Sequence, residues 1–319
     1  MQKLFRDLTG ACIAPRGSVV AIGAFDGVHR GHQSVLAHVR ARSAELGATA
    51  VAVSFAPIPR TFFARGAPVP QLTTAREKIA LLLGAGVERV LLLRFDATLA
   101  AISAETFVER VLVARLAARE VWVGEGFRFG HARAGDLALL ERMGSRLGFG
   151  AGTVPPFEID GERVSSSRIR GLLAAGDFDG AARLLGRRFA IAGHVVHGER
   201  LGRKLGYPTA NLRLGSRVAP IGGVFAVHVR GVRDRAMPAV ASLGVRPTVN
   251  GKEPLLEAHL FDFDGDLYGK RIEVEFVQKL RDEEKFDSLD AMVEQIDRDA
   301  RAARRILNCR TTAADGATT

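Results

Sequence analysis

Cysteine is nearly absent from this 319-residue chain: the two present, Cys12 and Cys309, stand near opposite ends. They make no CxxC or other metal spacing, and a disulfide framework does not suit so long a chain, so a reducing compartment is expected. Stacking aromatics are scarce too, with one Trp and two Tyr. The net charge of +10 attracts anions, but the basic residues are scattered, so a stacking, basic nucleic-acid surface is not favoured. No apolar run approaches the roughly 20 residues of a membrane span, and none follows the charges of the first seven residues. The expectation is a cytoplasmic protein with neither leader nor anchor. There is no internal repeat. Charged residues at 25% and hydrophobic ones at 47% exclude global disorder.

Three hundred residues exceed one ordinary core and predict two domains. The first half alternates continuous apolar strands with amphipathic helices. Strands are predicted at Val19–Gly23, Ala48–Phe55, Arg89–Leu93, Glu120–Gly124 and Gly150–Pro155. Helices are predicted at Gln33–Leu46, Thr74–Gly84 (capped by Thr73 or Thr74), Ser103–Leu116 and Gly135–Leu147. This grammar means an α/β domain, a doubly wound parallel sheet covered on both faces, with ligands at the carboxyl ends of its strands. From Arg188 the strands become short and closely spaced: Phe189–Val196, Gly223–Val229, Ala239–Leu243, Leu255–Phe261 and Arg271–Lys279. They predict an antiparallel β-barrel, closed by a helix over Ser288–Leu307. The boundary is placed near residue 186, giving domains 1–186 and 187–308, and residues 309–319 read as a disordered tail.

Two glycine-rich segments lie about 180 residues apart. In the first, Gly23-Ala24-Phe25-Asp26-Gly27-Val28-His29-Arg30-Gly31-His32 follows a strand and opens a helix. Glycines 23, 27 and 31 let backbone approach a ligand, and a helix N-terminus attracts phosphate. His29 and His32, three apart, share a helix face and suit hydrogen bonding to charge developing on a phosphate. A pair of surface caps, or a metal pair, is the plainer alternative. Farther on, Val164-Ser165-Ser166-Ser167-Arg168-Ile169-Arg170 opens another helix. Serines there are ordinary caps, yet with Arg168 they also make an anion clamp for a leaving pyrophosphate.

The second segment, Gly202-Arg203-Lys204-Leu205-Gly206-Tyr207-Pro208-Thr209-Ala210-Asn211, lacks Walker spacing. It reads as a loop over phosphate, with Thr209 and Asn211 as hard oxygen donors suited to Mg²⁺; a plain turn is the alternative. On the following strand, alternation puts Leu256, Ala258 and Leu260 on one face and Glu257 and His259 on the other. Glu257 is the candidate base for an attacking hydroxyl.

The first set, with Phe55-Ala56-Pro57-Ile58-Pro59, Phe95-Asp96, Ser103–Val108 and Val123–Gly130, resembles the adenylyltransferase half of the bacterial bifunctional riboflavin kinase/FMN adenylyltransferase (FAD synthetase) family. Thr209-Ala210-Asn211, Gly244–Thr248, Leu256–Phe261, Asp266–Gly269 and Leu280-Arg281 with Phe286 resemble its kinase half. The resemblance spans about residues 19 to 306. It implies that riboflavin, FMN, FAD and ATP are ligands, with Mg²⁺ as cofactor and the flavin as substrate or product. His29, His32 and Arg168 would be catalytic in the first half. Gly23, Phe25, Asp26, Gly31, Ser166 and Ser167 would hold ATP there, with Phe55 and Phe127 at the flavin. In the second half Glu257 would be the base. Gly202, Lys204, Gly206, Pro208, Thr209 and Asn211 would hold ATP, with the metal on Thr209 and Asn211 and a mobile flap carrying Arg281 and Phe286 to the flavin. Neither a nucleic-acid nor a membrane partner is implied, and a monomer or weak homo-oligomer is expected. Ala24, Ile58 and Gly126 depart from the family pattern, which has Asn, His or Gln, and Asp or Asn at these places. The last two of these would line the flavin or nucleotide pocket, so a kinase-only enzyme is the alternative reading. A nucleic-acid-binding protein is a second.

Overall fold

The computed structural model describes residues 2–64, 69–198, 206–215, 217–248 and 251–314. In chain order the elements begin β1 (Leu4–Phe5), β2 (Ser18–Ile22), α1 (Arg30–Glu45), β3 (Thr49–Ala56), α2 (Pro59–Phe63), α3 (Ala75–Gly84), β4 (Arg89–Arg94), α4 (Ala97–Ala100) and α5 (Ala104–Phe107). A π-helical stretch, Val108–Arg115, continues α5 and is followed by β5 (Ala118–Gly124), α6 (Leu137–Leu147), β6 (Gly150–Val154) and a small hairpin, β7 (Glu158–Ile159) with β8 (Glu162–Arg163). Then come α7 (Ser166–Ala174), α8 (Phe178–Leu185), β9 (Ala190–Val196), β10 (Ala210–Arg213), β11 (Gly223–Arg230), β12 (Met237–Thr248), β13 (Gly251–Leu260), β14 (Arg271–Arg281) and α9 (Leu289–Ala314).

The first sheet has the order β1-β4-β3-β2-β5-β6, with all pairings parallel. Alternate residues serve two cores. Val20, Ile22, Val51, Val53, Leu91 and Leu93 belong to one, and Val19, Ala21, Ala50, Ala52, Val90 and Leu92 to the other. That is why each strand reads as an unbroken apolar run. The chain builds outward from β2 through β3 and β4, then returns to β5 on the other side of β2. The order therefore reverses at β2, and the Gly23–His32 segment leaves its carboxyl end at that switch point.

The second sheet is a closed antiparallel barrel, β10-β13-β12-β11-β14-β9. Leu256, Ala258 and Leu260 are buried while Glu257 and His259 are partly exposed, as alternation predicts. Helix α9 covers part of the outer face, packing Ala300, Ala303 and Leu307 on Val224, Ala226, Val240 and Val277. It runs to Ala314 instead of ending at Leu307, because residues 308–314 hold neither Gly nor Pro to stop it.

The compact units divide at Ser166/Ser167, about twenty residues before the expected boundary, and the second unit also takes in Pro70–Leu72. Physical reasons lie in the contacts. Phe178 of α8 packs edge-on against Phe225 and stacks on Phe276 of the barrel. Gln71 N donates to the Val218 carbonyl, and the carbonyls of Pro70 and Leu72 accept from Arg170 and Arg217. Strand β1 was not expected; two residues are too few to show a period.

Candidate active sites

In the first unit His29 is the N-cap of α1: its Nδ1 accepts from the His32 main-chain N–H at 3.3 Å. An imidazole nitrogen that accepts carries no proton, so in the neutral ring the hydrogen sits on Nε2. The two rings stack with centroids 3.6 Å apart and 18° between planes. Burial holds the His32 pKa well below its ordinary value, helped by the charges of His29 and Lys78. His32 thus presents a neutral imidazole, whose N–H group donates without a permanent charge. His32 Nδ1 is enclosed, without a hydrogen-bond partner among the described residues.

The loop before the helix is held in an unusual shape. Phe25 and Val28 have φ of 46° and 41°, left-handed values that cost non-glycine residues on the order of 1–3 kcal/mol each. Four groups brace it. Thr73 offers its main-chain N–H and hydroxyl to Asp26 Oδ1 at 3.1 and 3.3 Å, and Gly27 N–H donates to Thr73 Oγ1. Ser166 donates its hydroxyl to the Asp26 carbonyl at 2.9 Å. Ser54 and Lys78 both donate to the Ala24 carbonyl. Phe25 is 2% exposed, its ring edge against His32. A Cβ at Gly23 would meet that ring at 3.1 Å, and one at Gly31 would meet His29 and the Val164 carbonyl. Phe25 and Asp26, expected as ATP contacts, are both buried, 2% and 3% exposed. Of the two candidate caps of α3, Thr74 makes the capping box with Glu77, and Thr73 is given to the loop. Ser167 and Arg168 lie on the first turn of α7, which Ser166 opens.

Phe55, at the end of β3, meets Phe95 edge-on at 5.7 Å, and Phe62 and Phe63 complete the group. Phe62 and Phe63 are the exposed members, 38% and 61%. These two were missed, although adjacent phenylalanines outside any strand or helix stripe are a readable sign. Phe127 stacks on Phe129. Gly126 has φ +72° with open space where a Cβ would be. Asn and Asp are the side chains that best tolerate that backbone, so Gly keeps the turn and loses only the side chain. Ile58 is buried, 6% exposed. Lys78 was also missed. Lys78 and Leu82 form the buried stripe of α3, and a lysine where the period calls for an apolar residue is the sign.

In the second unit, Gly202 and Lys204 lie outside the described residues. Gly206 (φ +86°) and Pro208 are exposed. His259 Nδ1 is 2.9 Å from the Pro208 carbonyl, which only accepts, so that nitrogen bears the proton. Asn211 lies on a strand, not in the expected loop, directly opposite Glu257; Glu257 in turn faces Ser242, Ser242 faces Val224, and Val224 faces Arg281. Neighbours across strands share a face with Cβ atoms about 5 Å apart. The candidates Asn211, Glu257 and Arg281 thus lie in one row across five strands, with Ser242 and Val224 between the last two. Asn211 is buried, its Oδ1 has no hydrogen-bond partner among the described residues, and its Nδ2 reaches Thr209 O and Oγ1 at 3.3 and 3.4 Å. An orphaned buried carbonyl beside a hydroxyl fits a hard cation. The Arg281 guanidinium forks onto Asp299 of α9 at 2.8–3.1 Å, reaches Glu284, and lies 5.7 Å from the Phe286 ring centre. A pocket of about 540 Å³ in this unit is lined by Ala219–Gly223, Phe225, Lys279, Asp282 and Glu283, with Leu173 and Ala174 of α7. No helix among the described residues is long and apolar enough to cross a membrane.

Residues 13–168 match the FAD synthetase family model and residues 185–307 the riboflavin kinase model. A bifunctional riboflavin kinase/FMN adenylyltransferase from Pseudomonas fluorescens is 48% identical over 91% of this chain and 93% of its own length. Its namesake from Escherichia coli K12 is 42% identical over 95% and 97%. A crystal structure named as a macrolide-efflux protein from Streptococcus pneumoniae superposes with a TM-score of 0.78 at 31% identity, covering 94% of this chain and 98% of that one. Two family models that between them span most of the sequence, and relatives matched from end to end, place this chain in the bifunctional riboflavin kinase/FMN adenylyltransferase family.

Proposed function

We propose that each compact unit carries one of the family's two reactions. The chain is a transferase that makes FMN from riboflavin and ATP, then FAD and pyrophosphate from FMN and a second ATP. In the barrel unit Glu257 takes the proton of the ribityl 5′-hydroxyl as its oxygen attacks the γ-phosphorus of ATP. Thr209 and Asn211 would hold Mg²⁺, which neutralises triphosphate charge. Gly206 and Pro208, with Gly202 and Lys204 before them, follow ATP. The pocket lined by Ala219–Gly223, Lys279 and Glu283 takes the flavin, its volume being ordinary for such a ligand, and Arg281 and Phe286 belong to the flap near it.

In the sheet unit an FMN phosphate oxygen attacks the α-phosphorus, and the bond to pyrophosphate breaks. His29 and His32 donate to the oxygens where charge builds. Gly23 and Gly31 keep the backbone close to ATP. The exposed rings of Phe62 and Phe63, with Phe55 and Phe127, offer stacking surfaces for the flavin.

The observation that carries this reading is the pairing of Asn211 with Glu257 in one unit and the stacked His29–His32 pair in the other. A kinase-only enzyme is not favoured: the FAD synthetase match covers the whole first sheet apart from β1, and both named relatives are bifunctional. A chromatographic time course with riboflavin, ATP and Mg²⁺ tests it. FMN is expected to rise and then convert to FAD. Accumulation of FMN alone would restore the kinase-only reading.

A further inference from the structure

Lys78 is 2% exposed, and a buried ammonium is costly unless its hydrogens and charge are matched. A methionine or leucine would fill this position of α3 without that cost. All three hydrogens find acceptors: the Ala24 carbonyl and the Phe55 carbonyl, each at 2.8 Å, and Ser54 Oγ at 3.4 Å. Ala24 sits in the strained loop that leads to the histidines, and Phe55 ends the neighbouring strand β3. One cation thus ties the loop to the carboxyl edge of the sheet, one residue before the positive φ of Phe25. The ionisable groups acting on it are Asp26 from the loop and His32 from α1, while β3 offers only Ser54 and a carbonyl.

Resting on the reading of His29 and His32 as the groups at the α-phosphate, we infer that Lys78 is a positioning residue for adenylyl transfer, clamping the Ala24 loop onto β3 and setting the electrostatic field at His32. Burial lowers its pKa to about 8, with Asp26 opposing. The lysine is therefore mostly charged at neutral pH, and its charge contributes to keeping His32 neutral. Above pH 8 the clamp loses its charge-assisted hydrogen bonds, and the loop loses its strongest tie.

The test uses the full chain and compares Lys78→Met, Lys78→Gln and His32→Ala. Three quantities are read: FAD formation from FMN and Mg-ATP across pH 6 to 10, FMN formation from riboflavin in the same samples, and the NMR titration of the imidazole signal that His32→Ala removes. In the wild type, FAD formation should decline above about pH 8 and FMN formation should show no such limb. Lys78→Met should lower kcat for FAD formation at least about tenfold while moving KM less than about threefold. It should also raise the His32 midpoint, erase the alkaline limb and leave FMN formation intact. Lys78→Gln keeps a donor for one carbonyl without the charge, so it should regain part of the rate while the His32 midpoint stays raised. An unmoved midpoint in both lysine variants overturns the inference, whether the rate is kept or is lost in parallel with melting temperature. FAD formation that survives His32→Ala instead removes the assignment of the histidines, and the His32 titration still reports on the lysine.

Discussion

The two units solve one problem, the handling of a triphosphate, with opposite uses of backbone. In the sheet unit the candidate residues His29 and His32 sit at a loop and a helix start, and the sheet supplies an edge to tie them to. Two non-glycine residues there take left-handed backbone, and Thr73, Lys78, Ser54 and Ser166 hold them from three distant stretches of sequence. In the barrel unit Asn211, Glu257 and Ser242 are strand residues aligned by ordinary ladder pairing, with extended backbone throughout. The first site is strained and braced from outside. The second is aligned by register. The difference predicts which substitutions are felt through geometry and which through the loss of one chemical group.

The largest effect should come from the register-built site. Glu257→Gln should slow FMN formation about 10³-fold, as loss of a general base does, while FAD formation from supplied FMN stays within about twofold. His32→Ala should produce the mirror image, with FAD formation down about 10²-fold and FMN formation unchanged. Loss of both activities in a folded sample of either variant would break the comparison. Asn211→Ala should raise the Mg²⁺ concentration needed for half-maximal FMN formation about tenfold, with no change in the Mg²⁺ titration of FAD formation. Gly31→Ala crowds His29 by only a few tenths of an ångström, so a several-fold loss of FAD formation is expected, with the melting temperature nearly unchanged.

The smallest effect is on stability. Lys78 titrates near 8 in the folded chain and near 10.5 when unfolded. Between those values the unfolded chain holds the extra proton, so stability should rise with pH across that window, by at most about 3 kcal/mol. Lys78→Met should flatten the rise in denaturant melts of the first unit. A rise that persists in the variant would assign it to other groups.

Much of both units was legible in the sequence. The parallel sheet followed from runs such as Val19–Gly23, and the polar and apolar faces of β13 from simple alternation. His29 and His32 were legible because both their spacing and the neighbouring glycines speak locally. The braces were not. Thr73 looks like a spare cap beside Thr74, and Lys78 like one more surface lysine, until packing sets them against Asp26 and Ala24. Asn211 was read as loop because Pro208 and Gly206 dominate the local signal, and its pairing with Glu257 spans 46 residues of chain. Arg281 was expected at the flavin, and its fork onto Asp299 follows from how α9 lies on the barrel, which no local pattern records. The division at Ser166/Ser167 differs from the expected boundary because α7 and α8 look like the helices before them, although Phe178 of α8 packs on Phe225 and Phe276 of the barrel.

The row across the barrel has a consequence for how this protein tolerates change. Side chains on a strand alternate strictly, so inserting one residue between Leu256 and Glu257 would rotate the carboxylate into the packed interior and push leucine out to water. Length variation among descendants should therefore collect in turns such as Asp262–Gly269 and avoid β10, β12 and β13. A deletion scan would show those three strands as silent gaps in an otherwise permissive map of the barrel.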